Sequence, residues 1–324
     1  MTRWLVVVAL LGACGSKSSG DAKLVDDAAT NDGAVDPSEL AARFDRKCVQ
    51  GDLEACRNLG ILYSEGQGVS QDQRRATALF GQACNGGNLS SCNHLGLALT
   101  AGMGVDKAPD KAAAAYQKAC DGGYKLACRN LGMLLRDEHS GIPQDLAKAE
   151  QLFDKACKGN VPFACTNAGD LDAYLAAKGS GATARYKSAI AHYKQGCDGG
   201  DPTACRQIGI AYLEGRGLPK SPPAAAVWLE RGCIPEEPIA CRLLGLMKVQ
   251  GIGVAKDLER GKQMLSRACE KKDDEACRLL GNINDSVTND AGVGDAGESM
   301  SIDATIDAMK PVDAAKGGGG SDAR

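Results

Sequence analysis

The chain has 324 residues, a net charge of −3, 4% aromatic residues and 15 cysteines against three histidines. Its basic residues form no block and carry no interleaved aromatics, so nucleic-acid binding is not implied. No cofactor motif occurs, and neither a C-x-x-C nor paired histidines supply the close ligand spacing of a metal centre.

In chain order, the first element is a leader. Arg3 precedes an apolar run from Trp4 to Leu11 that is too short to span a bilayer. Leu11-Gly12-Ala13-Cys14 resembles the lipobox of bacterial lipoproteins. The resemblance implies a signal peptide over 1–13, cleavage before Cys14, and acylation of its thiol and new amino group. An ordinary secretory leader is the alternative. Gly15 is not the aspartate that signals inner-membrane retention in diderm bacteria, which favours the outer membrane. Residues 14–37 then read as the lipidated Cys14 with a disordered tether rich in Ser, Gly, Asp and Ala. Ser38 is the expected N-cap of the first amphipathic run.

From there a single pattern recurs. Cysteines pair at a separation of eight: Cys48/Cys56, Cys84/Cys92, Cys120/Cys128, Cys157/Cys165, Cys197/Cys205, Cys233/Cys241 and Cys269/Cys277. Successive pairs begin 36, 36, 37, 40, 36 and 36 residues apart, the period of a stacked-repeat array. On one continuous helix, residues eight apart lie about 12 Å apart along the axis. A disulfide needs Cα atoms within roughly 4.4–6.8 Å. A bond therefore requires the chain to reverse inside each pair, and Gly86-Gly87, Gly122-Gly123 and Gly199-Gly200 permit it; Lys158-Gly159-Asn160 and Pro235 serve elsewhere. Each pair reads as a staple between antiparallel helices, zinc being the competing reading. Fifteen cysteines are seven pairs plus Cys14, and that number fits an exported, oxidising compartment.

Each repeat divides into two helices. Helix A begins at the second cysteine, with Cys56, Leu59, Gly60 and Tyr63 on one face. A glycine follows that cysteine by four in every copy, from Gly60 to Gly281, which argues for close helix approach because mid-helix glycine costs roughly 1 kcal/mol. Gly-x-Gly turns such as Gly66/Gly68 end helix A. Helix B closes on the next cysteine, with a large apolar residue four before it: Phe44, Phe80, Tyr116, Phe153, Tyr193, Leu229 and Leu265. These read as core plugs between layers. Repeats three and four carry one and four extra residues, near Glu138–Pro143 and Lys178–Gly181, which are expected in loops. Residues 285–324 hold eight acidic and three basic side chains and read as a disordered tail. Setting aside the +1 leader, the −3 tether and the −5 tail leaves about +4 for residues 38–284.

The motif A-C-x-N-L-G-x-L-x-x-x-G-x-G-V, carried by Ala55–Gly60 and Ala127–Gly132, resembles Sel1-like repeats. The paired cysteines resemble the disulfide-stapled branch, the Helicobacter cysteine-rich proteins. The resemblance covers 38–284 and implies an all-α fold: an α/α solenoid of tetratricopeptide-related helix pairs with a concave face that binds a protein or peptide. Some relatives are catalogued as β-lactamases, so a weak penicillin-directed hydrolase is the alternative function. Yet no serine has a lysine three residues on, no S-D-N, K-T-G or G-x-S-x-G occurs, and His94, His139 and His192 fall in three different repeats. The expected protein is thus a non-enzymatic envelope scaffold for a protein, a peptide or a cell-envelope component, an outer-membrane lipoprotein or otherwise secreted. It contacts the membrane through its lipid and uses no metal or cofactor. Related solenoids line the concave face with helix A. There, two residues after the second cysteine, stand Asn58, His94, Asn130, Asn167 and Gln207, with leucine in the last two repeats. On a helical wheel this position points about 160° from the cysteine, away from staple and core. It offers a polar row for an extended peptide or, alternatively, a solvated face.

Overall fold

A computed structural model describes residues 36–179, 181–234 and 237–288. The expected leader, the acylated Cys14, the tether up to residue 35, Pro235 and the tail from residue 289 lie outside the described residues. All regular structure in the described residues is helical. The chain forms two compact units, divided between Asn88 and Leu89.

The first unit holds α1 (Pro37–Val49), α2 (Leu53–Glu65) and α3 (Gln73–Asn85). Helix α1 starts one residue earlier than Ser38. Asp36 is its cap, accepting hydrogen bonds from the Ser38 backbone N–H and hydroxyl, both at 2.9 Å. Those bonds hold the Asp36 carboxyl below its ordinary value. Pro37 takes the first helical position, where its missing N–H is no loss and its φ is preset. Gly66 and Gly68 end α2 in left-handed conformations, φ 73° and 68°. A Cβ on Gly68 would stand 2.1 Å from the Pro37 carbonyl, so this turn admits only glycine twice over.

The second unit holds the remaining helices: α4 (Leu89–Ala101), α5 (Pro109–Asp121), α6 (Lys125–Arg136), α7 (Leu146–Cys157), α8 (Pro162–Ala177) and α9 (Ala182–Asp198). They continue as α10 (Pro202–Glu214), α11 (Pro222–Gly232), α12 (Pro238–Gln250), α13 (Leu258–Glu270) and α14 (Asp274–Thr288). The helices form an α/α solenoid of hairpins. Cys48–Cys56 in the first unit, and Cys120–Cys128, Cys157–Cys165, Cys197–Cys205, Cys233–Cys241 and Cys269–Cys277 in the second, are disulfides. Their Cα separations of 4.5–4.8 Å show the chain reversal that the spacing demands. The expected Cys84/Cys92 pair differs from these six in falling on either side of the division between units. Cys84 stands near the end of α3 in the first unit, and Cys92 stands in α4 of the second. Each of the two is buried and disulfide-bonded, so neither is a free thiol.

The repeated glycine has a steric cause. A Cβ on Gly132 would lie 2.7 Å from the Phe153 ring, on Gly96 2.4 Å from Tyr116, and on Gly169 2.6 Å from Tyr193. Gly60 faces Phe80 and Gly209 faces Leu229 in the same way. The large residue of helix B is therefore seated on the glycine of its own helix A. It plugs the hairpin itself, where the sequence suggested a plug between layers. Gly281, whose helix has no following helix B among the described residues, has nothing within 4 Å of where a Cβ would stand.

Repeat four departs from expectation. Its extra residues do not enlarge the loop, for α8 has 16 residues and α9 has 17, against 13 each in α2 and α3. Only residues 178–181 join them, where residues 66–72 join α2 to α3. Four residues are just over one helical turn, so both helices lengthen without turning their buried faces away. The extra residue of repeat three does lie in a loop. That loop still closes with the bond from Asp145 N–H to the Leu135 carbonyl, 2.9 Å, equivalent to Asp72 to Tyr63 at 2.8 Å.

Candidate binding face

The position two residues after the second cysteine does not point uniformly outward. Asn58 is 5% exposed, and Leu243 and Leu279 are fully buried. His94, Asn130, Asn167 and Gln207 are half-buried. A wheel drawn for one helix omits the neighbouring helix A about 36 residues away, which flanks this position. The amides already reach across repeats. Asn130 Nδ2 donates to Asn93 Oδ1 at 2.8 Å, Asn167 Oδ1 accepts from Arg129 Nε at 2.8 Å, and Gln207 Nε2 donates to Asp170 Oδ1 at 3.2 Å. In the first unit, Asn58 Oδ1 accepts from Arg57 Nη2 at 3.0 Å. His94 Nδ1 lies 2.8 Å from the Ser90 carbonyl, so that nitrogen carries the proton.

Three residues further along each helix A is a second row. Leu97 is 41% exposed, and Met133 and Ile210 are half-buried. Repeat four places Asp170 there. Side chains i and i+3 share a helix face, so amides and apolar groups alternate along this surface of the second unit.

Beside this face runs a seam that the sequence reading missed. The residue just after the second cysteine reaches the first cap of the next repeat's helix A. Arg206 Nε meets Glu237 Oε1 at 2.8 Å, and Arg242 Nε meets Asp273 Oδ2 at 2.9 Å. Thr166 donates its hydroxyl proton to the buried Asp201. Where the next repeat offers Val161 in place of an acid, Arg129 turns to Asn167 and stacks over Phe163, 5.7 Å from its ring centre. The signal was available: an acid stands four before the second cysteine at Asp52, Asp201, Glu237 and Asp273. An ion pair this buried, with side chains 6% and 7% exposed at Arg242 and Asp273, fixes register more than it adds stability.

Repeat four also concentrates charge. Asp170 accepts hydrogen bonds from the Tyr193 hydroxyl at 2.8 Å and from Gln207; burial pushes its carboxyl up. Burial, then the Asp170 charge, push the Tyr193 hydroxyl well up. Asp172 Oδ2 is 3.0 Å from His192 Nδ1, and its Oδ1 is 3.2 Å from Arg185 Nη1. Burial opposes the Asp172 charge, but bonds from His192 and Ser188 and the neighbouring cations outweigh it and hold the carboxyl low. His139, by contrast, is 68% exposed in the repeat-three loop beside Glu138. Among the described residues, no three His, Cys, Asp or Glu side chains are placed to hold a metal ion.

Stacked, stapled helix pairs whose successive A helices share a polar seam define a repeat scaffold. The chain belongs to the Sel1 repeat family, whose model matches residues 53–88, 89–124, 125–161, 162–201, 202–233 and 238–273. Sel1 repeats are in general non-enzymatic scaffolds that mediate protein–protein interaction. Among solved structures, it is similar to a protective antigen of uropathogenic Escherichia coli strains with the SLR fold: 22% identity, TM-score 0.68, over 85% of this chain. The chain spans 56% of that protein's length. It is also similar to a Sel1 repeat protein of Oxalobacter formigenes, at 21% identity and TM-score 0.60, over 72% of this chain and 97% of that one. Helicobacter pylori cysteine rich protein B matches 42% of this chain and 96% of its own, at 25% identity and TM-score 0.34. No curated protein matches the chain. The many disulfides belong to an oxidising compartment outside the cytoplasm, and no helix among the described residues is long and apolar enough to cross a membrane.

Proposed function

We propose that this chain is an exported, lipid-anchored scaffold that binds an extended protein or peptide segment along helix A of successive repeats in the second unit. One observation carries the reading: half-buried amides at Asn130, Asn167 and Gln207 alternate with Leu97, Met133 and Ile210 on one helical face. Amides both donate and accept, and each contact named above uses only one of these capacities, which leaves the other to meet a peptide backbone. The apolar row supplies area that a bound side chain can cover. The anchor is supported by the Leu11–Cys14 motif and the unpaired arithmetic of Cys14.

The test is a photo-crosslinking amino acid placed at Met133, with Val227, which is 60% exposed on α11, as the control position. The expected result is a discrete adduct in the native envelope from position 133 and none from 227. Equal adducts from both, or none from 133, would overturn the binding face. The anchor is tested separately by detergent partition of wild type and Cys14→Ser. Wild type enters the detergent phase and the variant does not, since multiple acyl chains anchor stably; equal recovery of both from the aqueous phase refutes it.

A further inference from the structure

Repeat four holds a group of charges that the binding face does not use. Glu150 and Asp154 on α7, Asp172 on α8, and Arg185 and His192 on α9 meet between the three helices. Arg185 Nη1 lies 3.3 Å from Glu150 Oε1 and 3.2 Å from Asp172 Oδ1. His192 Nδ1 lies 3.0 Å from Asp172 Oδ2, and its Nε2 lies 3.1 Å from Asp154 Oδ1. Every one of these contacts crosses from one helix to another. The cluster is largely withdrawn from water, His192 being 20% and Asp172 3% exposed. Ser188 adds a hydrogen bond to Asp172. The flanking charged groups, Arg136 on α6 and Arg206 on α10, act on Asp170, which the Tyr193 hydroxyl contacts.

The imidazole geometry is decisive. A neutral ring has one N–H and one lone pair. Here both nitrogens face a carboxylate oxygen, so a neutral ring satisfies one and turns its lone pair on the other. The imidazolium donates to Asp172 and sets its positive charge 3.1 Å from Asp154. With the proton in place, three carboxylates face two cations; without it they face Arg185 alone.

We propose that the His192 proton is a latch that joins repeat three to repeat four and releases as pH rises. Protonated, His192 ties α9 to α7 through Asp154 and to α8 through Asp172. Deprotonated, it keeps the hydrogen bond to Asp172, and the contact with Asp154, which rests on the ring's charge, is lost. The Asp172 hydrogen bond, opposed by burial and helped by the Asp154, Asp172 and Glu150 charges, raises the His192 pKa above its ordinary 6.5. The latch therefore stabilises fully below pH 6.5, and that stabilisation is lost as pH climbs through the raised folded-state midpoint. Because α8 carries Asn167 and α6 carries Asn130, release shifts one amide relative to the other. That last consequence, unlike the latch itself, rests on the binding face proposed above.

The experiment needs no partner. The full chain, with disulfides oxidised, is titrated from about pH 5 to 9 by proton NMR of the histidine rings. The three rings are assigned with His94→Gln and His139→Gln. The His192 midpoint lies above 6.5 and falls toward it in Asp154→Asn. In parallel, urea unfolding is followed against pH. The folding constant drops tenfold for each unit by which the His192 midpoint exceeds 6.5, and His192→Gln lacks that drop. A His192 midpoint at or below 6.5, or one unmoved by Asp154→Asn, overturns the latch. So does a His192→Gln profile with the wild-type pH dependence. Asp154→Asn keeps the test decisive should His192→Gln fail to fold, because the ring titration alone then confirms or refutes the Asp154 tie.

Discussion

Replacing the repeated glycine by alanine should help at one end of the array and harm in the middle. At Gly281 an added methyl meets nothing within 4 Å. The substitution then gains the helix propensity that glycine forgoes, about 0.8–1 kcal/mol. At Gly132 the same methyl would stand 2.7 Å from Cε1 of Phe153, a fully buried ring. Overpacking of this kind costs about 1–3 kcal/mol. Set against the same propensity gain, Gly132→Ala loses on the order of 0–2 kcal/mol, so the two variants differ by about 1–3 kcal/mol. Because repeat arrays unfold locally, the assay is amide hydrogen exchange resolved to α6–α7 and to α14. Slower exchange in α6 for Gly132→Ala, equal to that in α14 for Gly281→Ala, would refute the steric account of the glycine.

Other outcomes follow from the seam and the staples. Arg242→Met alone strands the buried Asp273 carboxylate and should cost about 3–5 kcal/mol, whereas Arg242→Met with Asp273→Asn recovers most of it; urea melts of single and double variants decide. Asn130→Ala removes its bond to Asn93 and should cost about 1 kcal/mol, so an unchanged melting temperature would mean the cross-repeat contact contributes nothing. Reduction opens staples worth about 2.5 kcal/mol each in the chain-entropy model, and non-reduced peptide maps should show Cys120–Cys128 and Cys157–Cys165 with no crossing between repeats.

The staples and turns were legible because their cause is local. A separation of eight with turn residues between two cysteines suits a bond across a chain reversal, and the Gly-x-Gly pairs at Gly66/Gly68 and Gly215/Gly217 mark left-handed turns. The first cap was misjudged by two residues because Ser38 and Asp36 are both good caps, and Pro37 between them decides for Asp36. Four inserted residues looked like loop, but a single helical turn can be absorbed by α8 and α9 with each buried stripe kept in register. The amide row was the harder case. Its partners, Asn93, Arg129 and Asp170, sit about one repeat away, beyond the reach of a single-helix wheel. The acid–arginine pairs were present at a constant offset, yet an acid at a helix start is also expected for capping alone.

That double duty has a practical side. Asp273 both caps α14, accepting from the Ala276 N–H at 3.0 Å, and holds Arg242 of the repeat before it. Asp201 caps α10 through Thr203 while accepting from Thr166. A module cut from this array carries a donor at its trailing side and an acceptor at its leading side, so modules are not freely interchangeable. A graft placed behind an arginine-bearing repeat needs an acid at its leading cap. The alternative is the arrangement around Val161, where an asparagine and a phenylalanine farther along the helix receive the guanidinium instead. Shuffled or lengthened arrays built from these repeats should therefore be joined by matching cap to arginine first, and by surface composition second.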